Sequence, residues 1–137
     1  MKRTALAAVL CAAVLSSCGI GEKNSNISEG MTAIEELRYE DALACFEKAL
    51  VSGEDKQLIL RGQGLANLGL TKYEEAVTAL ENCLSSGSCV PDELDYDVNY
   101  YLATAYYKAG RPEDAKQVYD AILALRSDAR DAYFMRG

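Results

Sequence analysis

The sequence predicts an all-α chain: a helix-turn-helix solenoid of about three repeats plus a partial fourth, preceded by a targeting segment. Three observations carry this. The stretches "RYEDALACFEKAL" from Arg38, "KYEEAVTALENCL" from Lys72 and "RPEDAKQVYDAIL" from Arg111 are one pattern written three times. Within each copy, small and large apolar residues recur at three- and four-residue steps, which keeps them on one helical face. No stretch reads as a strand. With 137 residues, half of them apolar and 26% charged, the composition is that of a folded globular chain.

The first element is an address. Lys2 and Arg3 precede a continuous apolar run from Ala5 to Leu15 and then small residues, the layout of a signal peptide over residues 1–17. The run is well short of the ~20 apolar residues that a permanent membrane-spanning helix requires. Leu15, Ser16, Ser17 and Cys18 resemble the lipobox of bacterial lipoproteins: an aliphatic residue, two small residues and the cysteine that receives lipid before cleavage. The resemblance implies lipidation (palmitate among the acyl chains) at Cys18 and a mature chain starting there, held to a membrane in the cell envelope on its extracytoplasmic face. The other readings are an ordinary cleavage site of a secreted protein and a segment of the core. Losing Lys2 and Arg3 leaves 12 basic against 21 acidic residues, a net charge of −9. Residues 18–29 then comprise the lipidated Cys and a flexible tether rich in Gly, Ser and Asn.

The repeats follow as residues 30–137, with units near 23–56, 57–90 and 96–129 and a partial unit at 130–137. Helices are expected near 28–36, 40–51, 56–69, 73–85, 93–109, 112–125 and 129–136. Arg38 to Lys72 is 34 residues, and Lys72 to Arg111 is 39, or 34 plus a five-residue insertion. Each second helix carries a small residue at Ala42, Ala76 and Ala115 and a large one at Phe46, Leu80 and Tyr119. Three positions on stand Ala49, Cys83 and Ile122. A 34-residue helix-turn-helix period with this pattern resembles the tetratricopeptide repeat. The family's Leu-Gly pair in the first helix survives only as Gly30, Gly64 and Ala103. Its closing Pro is replaced by Glu54, Ser88 and Ser127. Pro112, directly after Gly110 and Arg111, falls in a first helical turn, where its missing donor is not needed. The last segment carries Tyr133, Phe134 and Met135, which is no polar cap; the chain is a piece of a longer solenoid, or this patch docks onto a partner or a second copy.

Composition argues against several chemistries. The chain has no His and no Trp, and its basic residues are scattered, so an enzyme and a nucleic-acid binder are both disfavoured. No cofactor is implied. Cys83 and Cys89 flank "LSSGS" and could pair in an extracytoplasmic compartment; alternatively, Cys83 and Cys45 are small core hydrophobes. Three separated cysteines without His do not make a zinc site, so no metal is expected. Asp95, Asp97 and Asn99 have the alternate spacing of a calcium loop, but Tyr100 stands where the loop needs Gly. Asp92, Glu93 and Asp95 are expected instead to complement a helix N-terminus.

What remains is a binding surface. In tetratricopeptide repeats the first helix of each pair lines the concave face. The resemblance therefore implies a peptide groove at Met31, Ile34, Arg61, Leu65, Tyr100, Thr104, Tyr107 and Lys108, joined by Ile27, Leu58 and Leu68. The family's two-carboxylate clamp positions hold Ile27, Met31, Gly62, Asp97 and Tyr101, none of which matches, so an apolar helix or extended peptide is expected there rather than an acidic tail. The implied function is a non-catalytic, membrane-anchored scaffold for protein interactions. The alternatives are an adaptor in an envelope assembly machine, similar to subunits of outer-membrane barrel insertion or pilus biogenesis, or an accessory domain of a longer enzyme.

Overall fold

The computed structural model of the chain describes residues 23–87 and 92–125. The signal segment, Cys18, Cys89, the helix expected at 129–136 and the Tyr133–Met135 patch lie outside the described residues. Within them are six helices and no strand: α1 (Ser25–Glu35), α2 (Tyr39–Val51), α3 (Lys56–Gly69), α4 (Tyr73–Ser85), α5 (Glu93–Lys108) and α6 (Pro112–Leu125).

Each helix packs on the next, forming the pairs α1–α2, α3–α4 and α5–α6. In addition α1 touches α3 and α3 touches α5, whereas the second helices make no contact with one another. A stack curves toward the row whose members touch, so α1, α3 and α5 form the inner face. This is the stacked solenoid expected from the repeats, in which no pair buries its apolar face alone.

The turn inside each pair has one geometry. The backbone turns left-handed at Leu37 (φ 61°), Thr71 (φ 60°) and Gly110 (φ 79°). The amide of the following residue then donates back five positions: Arg38 to Ala33, Lys72 to Asn67 and Arg111 to Tyr106, at 2.8–2.9 Å. This is the six-to-one closure of a helix C-terminus.

Large residues of the second helices sit against small ones of the first. A Cβ on Gly62 would lie 2.2 Å from the Phe46 ring and one on Gly30 2.7 Å from it, so Phe46 is held between α1 and α3. Leu80 meets Gly64 in the same way, where a Cβ would come within 2.5 Å. In the third unit Tyr119 and Ala103 share one core cluster. The family positions Gly30 and Gly64 are thus seats for Phe46 and Leu80.

Three helix starts depend on carboxylates. At α3, Asp55 accepts from the Leu58 amide at 3.0 Å. Asp92 accepts from the Asp95 amide and Asp95 from the Asp92 amide, both at 3.0 Å, a reciprocal capping box that opens α5. At α1 the carboxylate comes from 28 residues away. Glu54 accepts from the amides of Asn26 (3.2 Å) and Ile27 (3.0 Å) and from the Asn26 side chain (2.5 Å), while the Asp55 amide donates to Asn24 at 3.1 Å. Consequently α1 starts at Ser25, three residues before the expected 28, and residues 25–29, assigned to the tether on composition, are helical.

Candidate peptide-docking surface

The inner face is built from positions three and four apart on three parallel helices, which brings one stripe of each to the same side. Met31 and Ile34 come from α1, Arg61 and Leu65 from α3, and Tyr100, Thr104, Tyr107 and Lys108 from α5. Six of these are half-buried, and Tyr107 and Lys108 are exposed. Tyr107 has 63% of its surface in solvent. Met31, Ile34 and Leu58 lean on the first core cluster, and Leu68 and Tyr100 on the second. They present an edge to solvent while supporting the fold. Ile27 is a core residue, 6% exposed, and does not line a surface.

Arg61 does not stand free on this face. Its guanidinium pairs with Asp97 at 2.5–2.6 Å, and its Cζ lies 5.7 Å from the centre of the Tyr101 ring. Arg61 is only 21% exposed, so the pair is partly desolvated and ties α3 to α5. With that charge neutralised and the Thr104 hydroxyl donating to the Tyr100 carbonyl at 3.0 Å, the face offers aliphatic and aromatic surface with Lys108 exposed at its rim.

The acidic segment that opens α5 is consumed structurally. Asp95 is in the capping box, Asp97 holds Arg61, and Asn99 donates to the Asp95 carbonyl at 2.7 Å. Among the described residues no group of three metal-ligating side chains converges.

Cys83 is a fully buried thiol donating to the Gln57 carbonyl at 3.2 Å, and burial pushes it up to about 11. Cys89, its expected partner, is outside the described residues. Cys45 is a second buried thiol, on α2, also raised by burial.

A second cluster joins α4, α5 and α6. The Tyr106 hydroxyl donates to Glu81, and Arg111 stacks 4.6 Å above the Tyr106 ring while binding Asp114 at 2.7 Å and Glu74 at 3.5 Å. Burial first and the Glu81 bond second push the Tyr106 phenol up to about 12. On the outer side, an open groove of about 500 Å³ lies between α2 and α4, with Leu43, Leu60, Gln63 and Thr78 in its lining.

Sequence reasoning missed the pairing of Arg61 with Asp97 and the capping of α1 by Glu54. The first had a signal. Their offset of 36 residues is the 39-residue spacing of those units less one helical turn, so the two charges face each other across adjacent inner helices. The second had none, because a carboxylate at the family's Pro position shows only that the pattern is broken.

Comparison with known proteins fits this architecture. Two family profiles, each described as Tetratricopeptide repeat, match residues 27–89 and 67–135. The chain therefore belongs to the tetratricopeptide repeat family. Among solved structures it is similar to the second tetratricopeptide repeat domain of the human RPAP3 protein, determined by NMR in complex with the HSP70 peptide SGPTIEEVD. The TM-score is 0.68 at 23% identity, covering 83% of this chain and 91% of that one, a likeness of fold. No curated protein sequence matches the chain.

Proposed function

We propose that the protein is a non-catalytic docking module whose inner face takes an apolar segment of a partner protein, and that a lipid on Cys18 holds it to a membrane on the extracytoplasmic side. The observation that carries the docking reading is the inner face itself. It carries Tyr107 exposed on α5, two turns from Tyr100, and its Arg61 guanidinium is already paired with Asp97. Such a surface suits an apolar helix or an extended peptide laid along the stripe. Membership of a repeat family that builds extended concave binding surfaces supports the same reading.

The neighbouring human domain is solved with a peptide ending in Glu-Glu-Val-Asp. An acidic tail of that kind needs free cations, and here Arg61 is occupied, so the preferred ligand differs. An adaptor role in an envelope assembly machine is a specific form of this proposal, and attachment to a longer enzyme is another.

Anchoring rests on the Leu15-Ser16-Ser17-Cys18 pattern. It is tested by metabolic labelling with a clickable palmitate analogue and by fractionation. Cys18→Ser is expected to lose the label and leave the membrane fraction; an unlabelled wild type or a membrane-bound variant rejects it. Docking is tested by affinity capture from an envelope extract. Wild type should retain a protein that Tyr107→Ala loses, and an identical captured set moves the site elsewhere.

A further inference from the structure

Four large hydrophobic side chains are exposed among the described residues, and two of them, Leu50 (48%) and Val51 (91%), are neighbours at the end of α2. This end adjoins the root of the tether. Ser52, Gly53, Glu54 and Asp55 share a cleft with Lys23, Asn24, Ser25 and Asn26 and are bonded to that segment through Glu54, Asp55 and Ser52.

The same edge carries lysines. Lys23, Lys48 and Lys56 are exposed around it, and none has an ion-pair partner among the described residues. Two carboxylates of the turn are engaged, Glu54 on the α1 amides and Asp55 on the Leu58 amide at 3.0 Å. Exposed Glu29 and Glu47 stand at the same helix ends, so the lysines are offset by acids in number and it is the exposed apolar pair that distinguishes this edge.

Reach decides what covers this edge. From Cys18 to Lys23 are five residues, which fully extended span at most about 18 Å. If Cys18 carries the lipid, the link brings the Lys23 edge to the headgroup layer. The opposite edge, with the other two exposed side chains, Leu37 and Tyr107, is one α1 length further away, roughly 16 Å for its 11 residues.

We propose, resting on the anchoring of Cys18 above, that the α2–α3 turn is a membrane-contact surface. Leu50 and Val51 enter the headgroup layer, and Lys23, Lys48 and Lys56 face the phosphates of anionic lipid, combining apolar burial and electrostatic attraction as peripheral segments do. The helix axes then rise from the bilayer, the inner face opens sideways, and Tyr107 stands at the far edge within reach of a partner.

The test uses the full lipidated chain, purified from a bacterial host and reconstituted in vesicles of phosphatidylethanolamine and phosphatidylglycerol, 3 to 1. A photo-crosslinking amino acid replaces Val51 in one preparation and Leu37 in another, both exposed apolar positions, and the mass of the Cys18 peptide is read in each. At least a roughly fivefold excess of lipid adducts at position 51 over position 37 is expected, falling several-fold when Lys48→Glu and Lys56→Glu are added. Equal lipid adducts at the two positions, or protein adducts replacing lipid at 51, overturn the orientation while leaving anchoring intact. Absence of acyl mass on Cys18 overturns the anchoring, and the orientation with it.

Discussion

At the scale of single residues, the molecule is organised by one exchange: a large side chain on the second helix of a unit fills space left by a missing one on a first helix. Phe46 is fully buried between Gly30 and Gly62, and a Cβ at position 62 would come within 2.2 Å of its ring. Gly62→Ala is therefore expected to destabilise the fold by about 2 kcal/mol through overpacking, despite the better helix propensity of Ala. A double-mutant cycle checks it. Adding Phe46→Leu to Gly62→Ala should cost clearly less than the sum of the two single changes in denaturant unfolding, because the smaller side chain yields the space. Additive costs would show that ring and glycine are not in the contact described. The same exchange explains why Phe46, Leu80 and Tyr119 could be read from sequence as a repeating large position, and why Gly62 was not recognised as core. It sits at a family clamp position, where a polar surface residue was the comparison made.

At the scale of helices, the turns and caps decide where elements begin and end. Leu37 and Thr71 adopt the left-handed conformation that Gly110 adopts in the third unit. A β-branched residue is poorly suited to it. Thr71 is exposed, so Thr71→Gly loses no packing and relieves that strain, with an expected gain of about 0.5–1 kcal/mol in unfolding free energy. A loss on substitution would mean the side chain contributes something other than strain. At α1 the determinant is ionic. Burial alone would raise the Glu54 carboxyl, but bonds from the Ile27 amide, the Asn26 side chain and the Asn26 amide outweigh it and hold it below its ordinary 4.5. A depressed carboxyl contributes stability that is present above its unfolded value and lost as pH falls through the folded one. Protection of the Asn26 and Ile27 amides, taken relative to the intrinsic exchange rate at each pH, should thus fall selectively on acidification into the carboxylate range below about pH 4. Glu54→Gln should show that lower protection already at neutral pH and without the acid step. Five of the six helices were placed to within a residue or so from sequence because amphipathic period and turn residues are local signals. The start of α1 was not, because its cap arrives from 28 residues away.

At the scale of the whole molecule, the fold is a short stack with an inner row of touching helices and an outer row of separated ones. The inner row was legible in advance, since repeat phase fixes which helix of each pair faces inward. Most of its lining residues are half-exposed there. What phase could not supply was the charge state of that face. Arg61 counts as a surface cation until Asp97 is seen 2.6 Å away, and this turns a mixed surface into an apolar one. Whether the inner row docks a partner is decided by the affinity of the captured protein for two single-site variants, one on each face. Tyr107→Arg places charge on the inner face, and Thr78→Arg places it in the outer groove between α2 and α4, both at exposed sites. The expected result is a loss of roughly tenfold or more for Tyr107→Arg with Thr78→Arg unchanged. A partner that binds Tyr107→Arg as tightly as wild type and is released by Thr78→Arg would move recognition to the outer side.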